Sequence, residues 1–469
     1  MNRQLNREIL RLSVPSILAN LTVPLVGMVD TAVAGHLHGG NAATFIGAIS
    51  IGAMLFNLLY WGFGFLRTGT GGLTAQAFGR NDMQDSLKIL VRGVCLALGI
   101  SILLLVLQWP FVKLVLSLME ASPEARTLAE EYFFIRIWAA PATLCLMVFS
   151  GWFAGMQDSM SSMRKDLVVN GVNVVASIIL ATGAGNWKGF GFAGIAMGTV
   201  AAQYSGLAFC VIVCLVKYRR KVFSLFKPSG IPGMLRGDDL GSFFKMNLDL
   251  LIRSLGFIVI YIGYTAIAAG FGDTILACSS IMMQMLMIFS YFTDGFAYAG
   301  EALSGRFIGE GNTGLLRRSV RYVFVWSMSV SVLFIGIYVA GGVPLLKLLT
   351  SDTKVVESCR EFLPWLILMP PIGCAAFTWD GIFMGATASV PFRNSMVGAA
   401  IFFFGTWTVC RAAFTPSGAE ALHCLLAAYF AHLLFRTVYL SLSYRACILT
   451  SNTGCRQHAA RFLPHRRRS

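Results

Sequence analysis

Long stretches of apolar residues alternate with short polar connections along the whole chain. A helix that crosses a bilayer needs about 20 mostly apolar residues, and twelve stretches meet that requirement. Runs such as 100–107 do not alternate between apolar and polar positions, as a membrane-spanning strand would. The pattern predicts an all-α membrane protein with about twelve transmembrane helices. These are expected over residues 9–33, 44–66, 89–118, 131–156, 166–184, 190–216, 243–269, 275–303, 318–349, 361–386, 394–415 and 419–447.

The composition supports the same fold class. Hydrophobic residues make up 56% of the chain and charged residues 13%, with a mean hydropathy of +0.69. Soluble proteins carry about 25% charged residues, so most of this chain is not expected to face water.

The net charge of +15 is spread over alternate connections instead of forming one basic domain. A nucleic-acid partner is therefore not expected. Basic residues that collect on one side of a membrane mark the cytoplasmic side. The distribution predicts a multi-pass membrane protein with both termini in the cytoplasm, and for a bacterial protein the membrane is then the inner membrane.

The two halves of the chain resemble each other at a nearly constant spacing. Gly79 and Gly309 close similar segments 230 positions apart. The segments that begin at Gly151 and Gly381 are also separated by 230 positions. Each matched glycine follows an even-numbered span of its half, so the repeats are expected to be parallel, with six spans each.

This duplication predicts four regions. They are an N-terminal six-helix lobe (1–216), a basic cytoplasmic linker (217–242), a C-terminal six-helix lobe (243–447) and a basic cytoplasmic tail (448–469). Repeated bundles that rock about a central site are a transporter architecture. A duplicated scaffold without transport is the alternative.

Asp30 is the most informative polar residue because it lies in the first span. A carboxylate at mid-bilayer costs about 3 kcal/mol on insertion scales and usually has a function. One interpretation places Asp30 at the span end, facing the outer headgroups. The other makes it an ion-coupling residue, since removal from water favours the protonated form of a carboxyl. Pro24, in the same helix, would then allow bending.

The fifth and sixth spans carry further polar side chains. Asn173 and Ser177 are four positions apart and share a helix face. These residues either line a substrate site or form hydrogen bonds between helices, and the sequence does not favour one role. The candidate substrate-binding residues are Asn170, Asn173, Ser177, Thr199 and Gln203.

The second half contains its own charged residues in or near spans. Asp294 and Glu301 are seven positions apart, so they face the same way, and Arg253 is a candidate ion partner. A static buried ion pair is favoured over a functional role. The predicted polar network consists of Asp249, Arg253, Asp294, Glu301 and Asp380.

Other chemistry finds little support in the sequence. The glycine-rich segment 68–72 lacks the Gly-Lys-Ser/Thr of an ATP-binding loop. Two histidines, His36 and His38, are too few for a zinc site. Neither a metal nor a cofactor is expected.

Four segments resemble motifs of the multidrug and toxic compound extrusion (MATE) transporters, in their DinF-like branch. They lie at 29–37 (VDTAVAGHL), 65–77 (FLRTGTGGLTAQA), 294–302 (DGFAYAGEA) and 380–387 (DGIFMGAT). The resemblance implies two six-helix lobes in a V shape. It also implies antiport of organic, often cationic, compounds against protons or sodium ions.

The resemblance makes the first-span acid, here Asp30, the coupling residue. The family's fifth-span asparagine corresponds to Asn173, and a second acid found in some members is replaced by Ser177. Hard cations prefer several oxygen ligands, so this difference favours protons over sodium.

The expected function is therefore a monomeric, secondary active antiporter that exports amphipathic, often cationic compounds. One alternative is a flippase for lipid-linked saccharides, which would need a cationic cavity; Arg67, Arg136 and Arg253 are the candidates. The other alternative is a membrane-embedded enzyme, but the sequence shows no clustered nucleophile and base.

Overall fold

The computed structural model describes residues 3–37, 42–117, 122–220, 231–234, 237, 239–350 and 352–449. Within these ranges the regular structure is helical, apart from one isolated bridge between Ala184 and Trp187. Half of the predicted linker and nearly all of the predicted tail lie outside the described residues.

The helices of the first half are α1 (Arg3–Gly35), α2 (Ala42–Trp61), α3 (Phe65–Gly79), α4 (Met83–Ser117), α5 (Pro123–Arg136), α6 (Ala140–Gly155), α7 (Ser159–Thr182) and α8 (Phe192–Lys217). The short helix α9 covers Ile231–Met234. The helices of the second half are α10 (Leu240–Ala269), α11 (Asp273–Gly309), α12 (Thr313–Leu349), α13 (Thr353–Arg360), α14 (Leu363–Gly385), α15 (Ser389–Phe414) and α16 (Ala419–Tyr444).

Twelve helical segments of the described chain are long and apolar enough to cross a membrane. Two of them consist of a pair of α-helices joined by a short 3-10 helical segment, α2 with α3 at Gly62–Gly64 and α5 with α6 at Ile137–Ala139. The predicted number and type of spans are confirmed. Some helices extend beyond the predicted span, for example α11, which covers Asp273–Gly309 where 275–303 was expected.

The chain folds as two compact units, residues 18–237 and residues 238–469 together with residues 1–17. Helix α1 contributes to both units. Its first part contacts the second unit, where Asn6 accepts a hydrogen bond from Trp326 at 3.1 Å. Each unit has its own apolar core, around Phe56 and Phe133 in the first and around Phe289 and Phe403 in the second.

The turns after α3 and α11 repeat the same backbone geometry 230 positions apart. Asn81 and its counterpart Gly311 both adopt left-handed conformations, with φ of 57° and 72°. The residue after each accepts an amide hydrogen bond through its side chain and begins the next helix: Asp82 from Asp85 and Asn312 from Leu315, both at 2.9 Å. The repeat predicted from sequence is therefore a repeat of structure.

Close helix crossings are repeated as well. A methyl group on Gly151 of α6 would overlap with the carbonyl oxygen of Arg67 on α3. A methyl group on Gly381 of α14 would overlap with the carbonyl oxygen of Ala297 on α11. Small residues that allow backbones to approach are the usual means of helix association in membranes, and each repeat uses one at the same crossing.

The turn between α6 and α7 is held by a buried acid that has no counterpart in the second repeat. Asp158 accepts hydrogen bonds from Lys217 at 2.6 Å and from the Tyr218 hydroxyl at 2.7 Å, and it caps α7 through the Ser161 amide. Burial alone would raise the pKa of Asp158, but the hydrogen bonds from Lys217, Ser161 and Tyr218 outweigh it and hold that pKa below its ordinary value. The 230-position counterpart is Ala388.

We expect Gly151→Ala and Gly381→Ala each to destabilise the protein by about 1–3 kcal/mol, because overpacking forces two backbones apart. The melting temperature of the purified protein in detergent measures the effect. Gly99→Ala in α4 is the matched control, since a methyl group there has no neighbour within 4 Å. Equal melting temperatures for all three variants would contradict the proposed role of the crossings.

We expect the stabilisation from Asp158 to depend on pH. Because its pKa is lowered on folding, the contribution is present above the ordinary carboxyl pKa of about 3.9 and is lost as the pH falls below it. The difference in melting temperature between the wild type and Asp158→Asn should therefore be larger at pH 7 than at pH 3.5. If the difference in melting temperature grew on acidification, the contribution of Asp158 would have the opposite pH dependence and this prediction would be wrong.

Candidate functional site

Asp30 lies inside the first unit, with 6% of the residue exposed. Its side chain projects from the last part of α1. Its Oδ1 is buried and has no hydrogen-bond partner among the described residues. The charge of Arg136 and a hydrogen bond with Ser177 act on the carboxyl. Asp30 is thus a buried acid without a direct ion pair among the described residues.

The position of Ser177 depends on the tight packing of α7 against α8. Gly194 and Gly198 are one turn apart on α8, and a methyl group on either would overlap with the backbone of α7, at Leu180 and Ser177 respectively. This close approach brings Ser177 Oγ within 3.4 Å of the Ile195 carbonyl oxygen. The glycines therefore place polar groups of α7 and α8 side by side.

Asn173 and Thr199 connect the same two helices. The Asn173 amide donates a hydrogen bond to Thr199 Oγ1 at 3.1 Å, and both residues are buried. Asn173 Oδ1 has no partner among the described residues. The structure thus brings Asp30, Asn173, Ser177 and Thr199 into one buried polar cluster.

Arg136 is a member of this region that the sequence did not place there. Its guanidinium lies over the Phe56 ring at 4.5 Å and donates a hydrogen bond to the Tyr132 hydroxyl at 3.0 Å. The sequence named Arg136 as a candidate for a cationic cavity, and its aromatic contacts hold it inside the first unit. Arg136 ends α5, where a cation also faces the negative end of the helix.

The remaining first-half candidates lie at the margin of the cluster. Asn170 donates a hydrogen bond to Thr22 Oγ1 at 2.6 Å and so links α7 to α1. Gln203 lies one turn beyond Thr199 and is half-buried. Pro24 is exposed, and α1 continues as a helix through it.

The opposite face of α7 is apolar. An open groove of about 700 Å³ runs along it. The groove is lined by Leu167, Val168, Gly171, Val172, Val175, Ala176, Ile179 and Leu180. Helix α7 therefore presents polar groups towards Asp30 and an apolar surface on its other side.

The second unit arranges its acids differently. Asp380 Oδ2 accepts hydrogen bonds from Nη2 of Arg253 at 2.7 Å and from Nη2 of Arg436. Arg253 also lies over the Phe392 ring at 4.5 Å. The sequence suggested Asp294 or Glu301 as the ion partner of Arg253, but the ion pair is with Asp380 instead. Arg436 is a second arginine on the same carboxylate, and sequence reasoning missed it. An arginine within the apolar stretch of α16 was the available signal.

Asp249 is neutralised at another place in the second unit. Its carboxylate accepts hydrogen bonds from Arg393 at 2.6 Å and from Ser389 at 2.7 Å. These contacts join α10 to the beginning of α15. Asp249 thus belongs to an ion pair separate from that of Asp380.

Asp294 and Glu301 both lie on α11, as predicted, but differ in burial. Glu301 is 1% exposed, whereas Asp294 is half-buried. Asp294 acts electrostatically on Arg253, more weakly than Asp380 does. Among the five predicted residues, Asp380, Arg253 and Asp294 form one electrostatic group.

Fold and site together define a class: a polytopic helical membrane protein of two six-span repeats with a buried acid in the first. The MatE family model matches residues 15–179 and 250–405, one segment in each half. The chain belongs to the MATE transporter family, as the motif resemblance predicted. DNA damage-inducible protein F of Escherichia coli (strain K12) is 33% identical over 402 residues, covering 85% of this chain and 84% of that protein.

More distant relatives and solved structures agree with this assignment. The probable multidrug resistance protein NorM of Photorhabdus laumondii is 24% identical, with 86% of this chain and 85% of that protein covered. A MOP superfamily transporter from Pyrococcus furiosus superposes with a TM-score of 0.81 at 16% identity, covering 95% of this chain and 97% of that chain. A MATE crystallised in the bent conformation gives 0.80 at 18% identity, with 94% and 97% covered. At these identities the structures support the fold alone.

Proposed function

We propose that this protein is a secondary active antiporter that exports amphipathic, often cationic organic compounds in exchange for protons. Membership of the MATE family and the name of the NorM relative support multidrug efflux. The observation that carries the coupling proposal is the Asp30 carboxyl, buried with one oxygen unpartnered among the described residues. The protein acts as a monomer in the inner membrane, with both termini in the cytoplasm.

Asp30 is the proposed ion-coupling residue because its surroundings permit a change of charge. Asp380 and Asp249 each lie in an ion pair with arginine. Asp30 has no such pair among the described residues, and its neighbours are the Ser177 hydroxyl and the charge of Arg136. A hydroxyl forms hydrogen bonds with either the charged or the neutral carboxyl, so protons can load and leave.

The polar residues of α7 and α8 take two roles in this proposal. Asn173, Ser177 and Thr199 are buried in the contact between the helices, which suits support of Asp30. Asn170 and Gln203 are less buried and are available to a solute. The apolar groove on the other face of α7 offers contact for the apolar part of an amphipathic compound.

Protons are favoured over sodium by the charge near Asp30. The Arg136 guanidinium adds a permanent positive charge to the region, which opposes the entry of a metal cation. Sodium also needs several oxygen ligands at once, and Asp30 is the acid that the cluster offers. Protonation needs one oxygen only.

Helix α1 is the proposed mechanical link. It carries Asp30 in one compact unit and begins in the other. Pro24 removes one helical hydrogen bond between these parts and so lowers the cost of bending. Protonation of Asp30 would alter its hydrogen bonds and thereby change the preferred bend of α1 near Pro24.

The flippase alternative is less well supported. It needs an accumulation of positive charge for a pyrophosphate group. Arg136 acts on Asp30, and Arg253 shares Asp380 with Arg436. Arg136 and Arg253 thus lie in separate compact units, and the family match favours the antiporter.

We expect Asp30→Asn to abolish gradient-driven efflux while the protein remains folded, because the amide cannot exchange a proton. Efflux of a fluorescent cation such as ethidium from proteoliposomes measures this, with proton and sodium gradients imposed separately. Asp166→Asn is the matched control, since Asp166 lies outside the cluster and pairs with Lys165 at 2.7 Å. Undiminished efflux by Asp30→Asn would refute the coupling role.

We expect Arg136→Gln to allow a sodium gradient to drive efflux at least several-fold faster than in the wild type. The substitution removes the positive charge near Asp30 but retains a hydrogen-bond donor for Tyr132. Arg136→Lys, which retains the charge, should behave like the wild type. If both variants respond to sodium equally, the charge of Arg136 does not select the ion.

A further inference from the structure

The charged group around Asp380 in the second unit has no part in the proposed coupling at Asp30. Arg253, Asp380 and Arg436 come from three helices, α10, α14 and α16. Arginine remains charged in proteins, so two guanidinium groups share one carboxylate and the three residues carry one net positive charge. The Arg436 side chain is 2% exposed and the Asp380 side chain 10%.

Both arginines retain unused donors. Each contacts the same carboxylate oxygen through one Nη2 atom. The Nε atoms of Arg253 and Arg436 are buried and have no hydrogen-bond partner among the described residues. Buried polar groups are nearly always hydrogen-bonded, and a charged donor left alone is costly. These two donors therefore call for an acceptor.

A neighbouring histidine also lacks hydrogen-bond partners in the described chain. His432 lies one turn before Arg436 on α16 and is 1% exposed, and neither ring nitrogen has a hydrogen-bond partner in the described chain. Its ring packs edge-on against Tyr429 at 4.4 Å. The Tyr429 backbone influences the His432 ring, but the two do not meet the distance and angle of a hydrogen bond.

The charges in direct contact favour an anion over a cation at this place, since the second acid, Asp294, acts on Arg253 most weakly. The charged groups that act on Arg253 are Asp380, Arg436 and, most weakly, the half-buried Asp294. A sodium ion would have to compete with two guanidinium groups for Asp380. A carboxylate would instead find the planar donors that guanidinium groups present to it. The Arg253 side chain as a whole is 21% exposed, although its Nε atom is buried.

We propose that Arg253, Arg436 and His432 form an anion site in the second unit that takes one carboxylate group. The two Nε donors bind the carboxylate oxygens, and His432 contributes its ring N–H. Asp380 holds the two guanidinium groups in position and limits the affinity by its own charge. This site is independent of Asp30, and it gives the transporter a place for the acidic group of an organic anion or zwitterion.

The test is ligand binding by the purified full-length protein, followed by its melting temperature at constant ionic strength. Sodium benzoate is the carboxylate probe and sodium chloride the halide probe. We expect a saturable rise in melting temperature with benzoate and a weaker rise with chloride. In Arg253→Gln the benzoate concentration for half the effect should increase at least tenfold.

Asp380→Asn separates binding from general destabilisation. It removes the competing negative charge, so it should bind benzoate several-fold more tightly although the protein without ligand is less stable. His432→Gln should weaken binding without loss of folding, which keeps the proposal testable if Arg253→Gln does not fold. Arg393→Gln, which breaks the separate ion pair with Asp249, is the matched control and should bind benzoate like the wild type.

Any one of three results would overturn the proposal. The first is that the wild type does not respond to benzoate, as expected if water alone satisfies these donors. The second is that Arg253→Gln and His432→Gln respond as the wild type does, and the third is that chloride has the same effect as benzoate. Asp30→Asn should retain the benzoate response, so failure of the coupling proposal and failure of the anion site are distinguishable. Benzoate counterflow in proteoliposomes then shows whether the bound carboxylate is transported.

Discussion

The cost of holding a carboxylate in an apolar interior is the constraint on which the arrangement of this protein depends. Three buried acids meet that cost in different ways. Asp249 pairs with Arg393, and Asp380 is shared by Arg253 and Arg436. Asp30 has no ion pair within the described residues, and the Ser177 hydroxyl and the charge of Arg136 act on it. This difference in pairing is what the proposed coupling role of Asp30 rests on.

The two repeats share their backbone geometry but differ in how their buried acids are paired. Both halves use the same close crossing, at Gly151 and Gly381, and the same left-handed turn, at Asn81 and Gly311. Backbone geometry is thus repeated while side-chain chemistry is not. The acid Asp158, which clamps the turn before α7, has an alanine as its counterpart. At the same spacing of 230 positions, Asp380 corresponds to Ser150 and Arg436 to Gly206, neither of which is charged.

The candidate site was predicted in part. Asp30 stood out because an acid is rare in an apolar span, and Asn173 and Ser177 share a face by helical periodicity. The sequence left open whether these groups support the acid or meet a solute. Burial now suits a supporting role for Asn173, Ser177 and Thr199. Arg136 and Arg436 were placed poorly because their partners are distant in the chain: Phe56 lies in α2, and Asp380 lies 56 positions before Arg436.

The sequence by itself determined the number of spans, their helical character and their repetition, because apolar length and glycine spacing are local properties. It also identified the family, through four short motifs. Which charges meet was decided only by the tertiary structure. Pairing of buried charges depends on how helices rotate and cross, and those angles follow from contacts between backbones far apart in the chain. For this reason an aspartate in an apolar span lacks an ion pair among the described residues in the first repeat, whereas aspartates in the second repeat are paired with arginine.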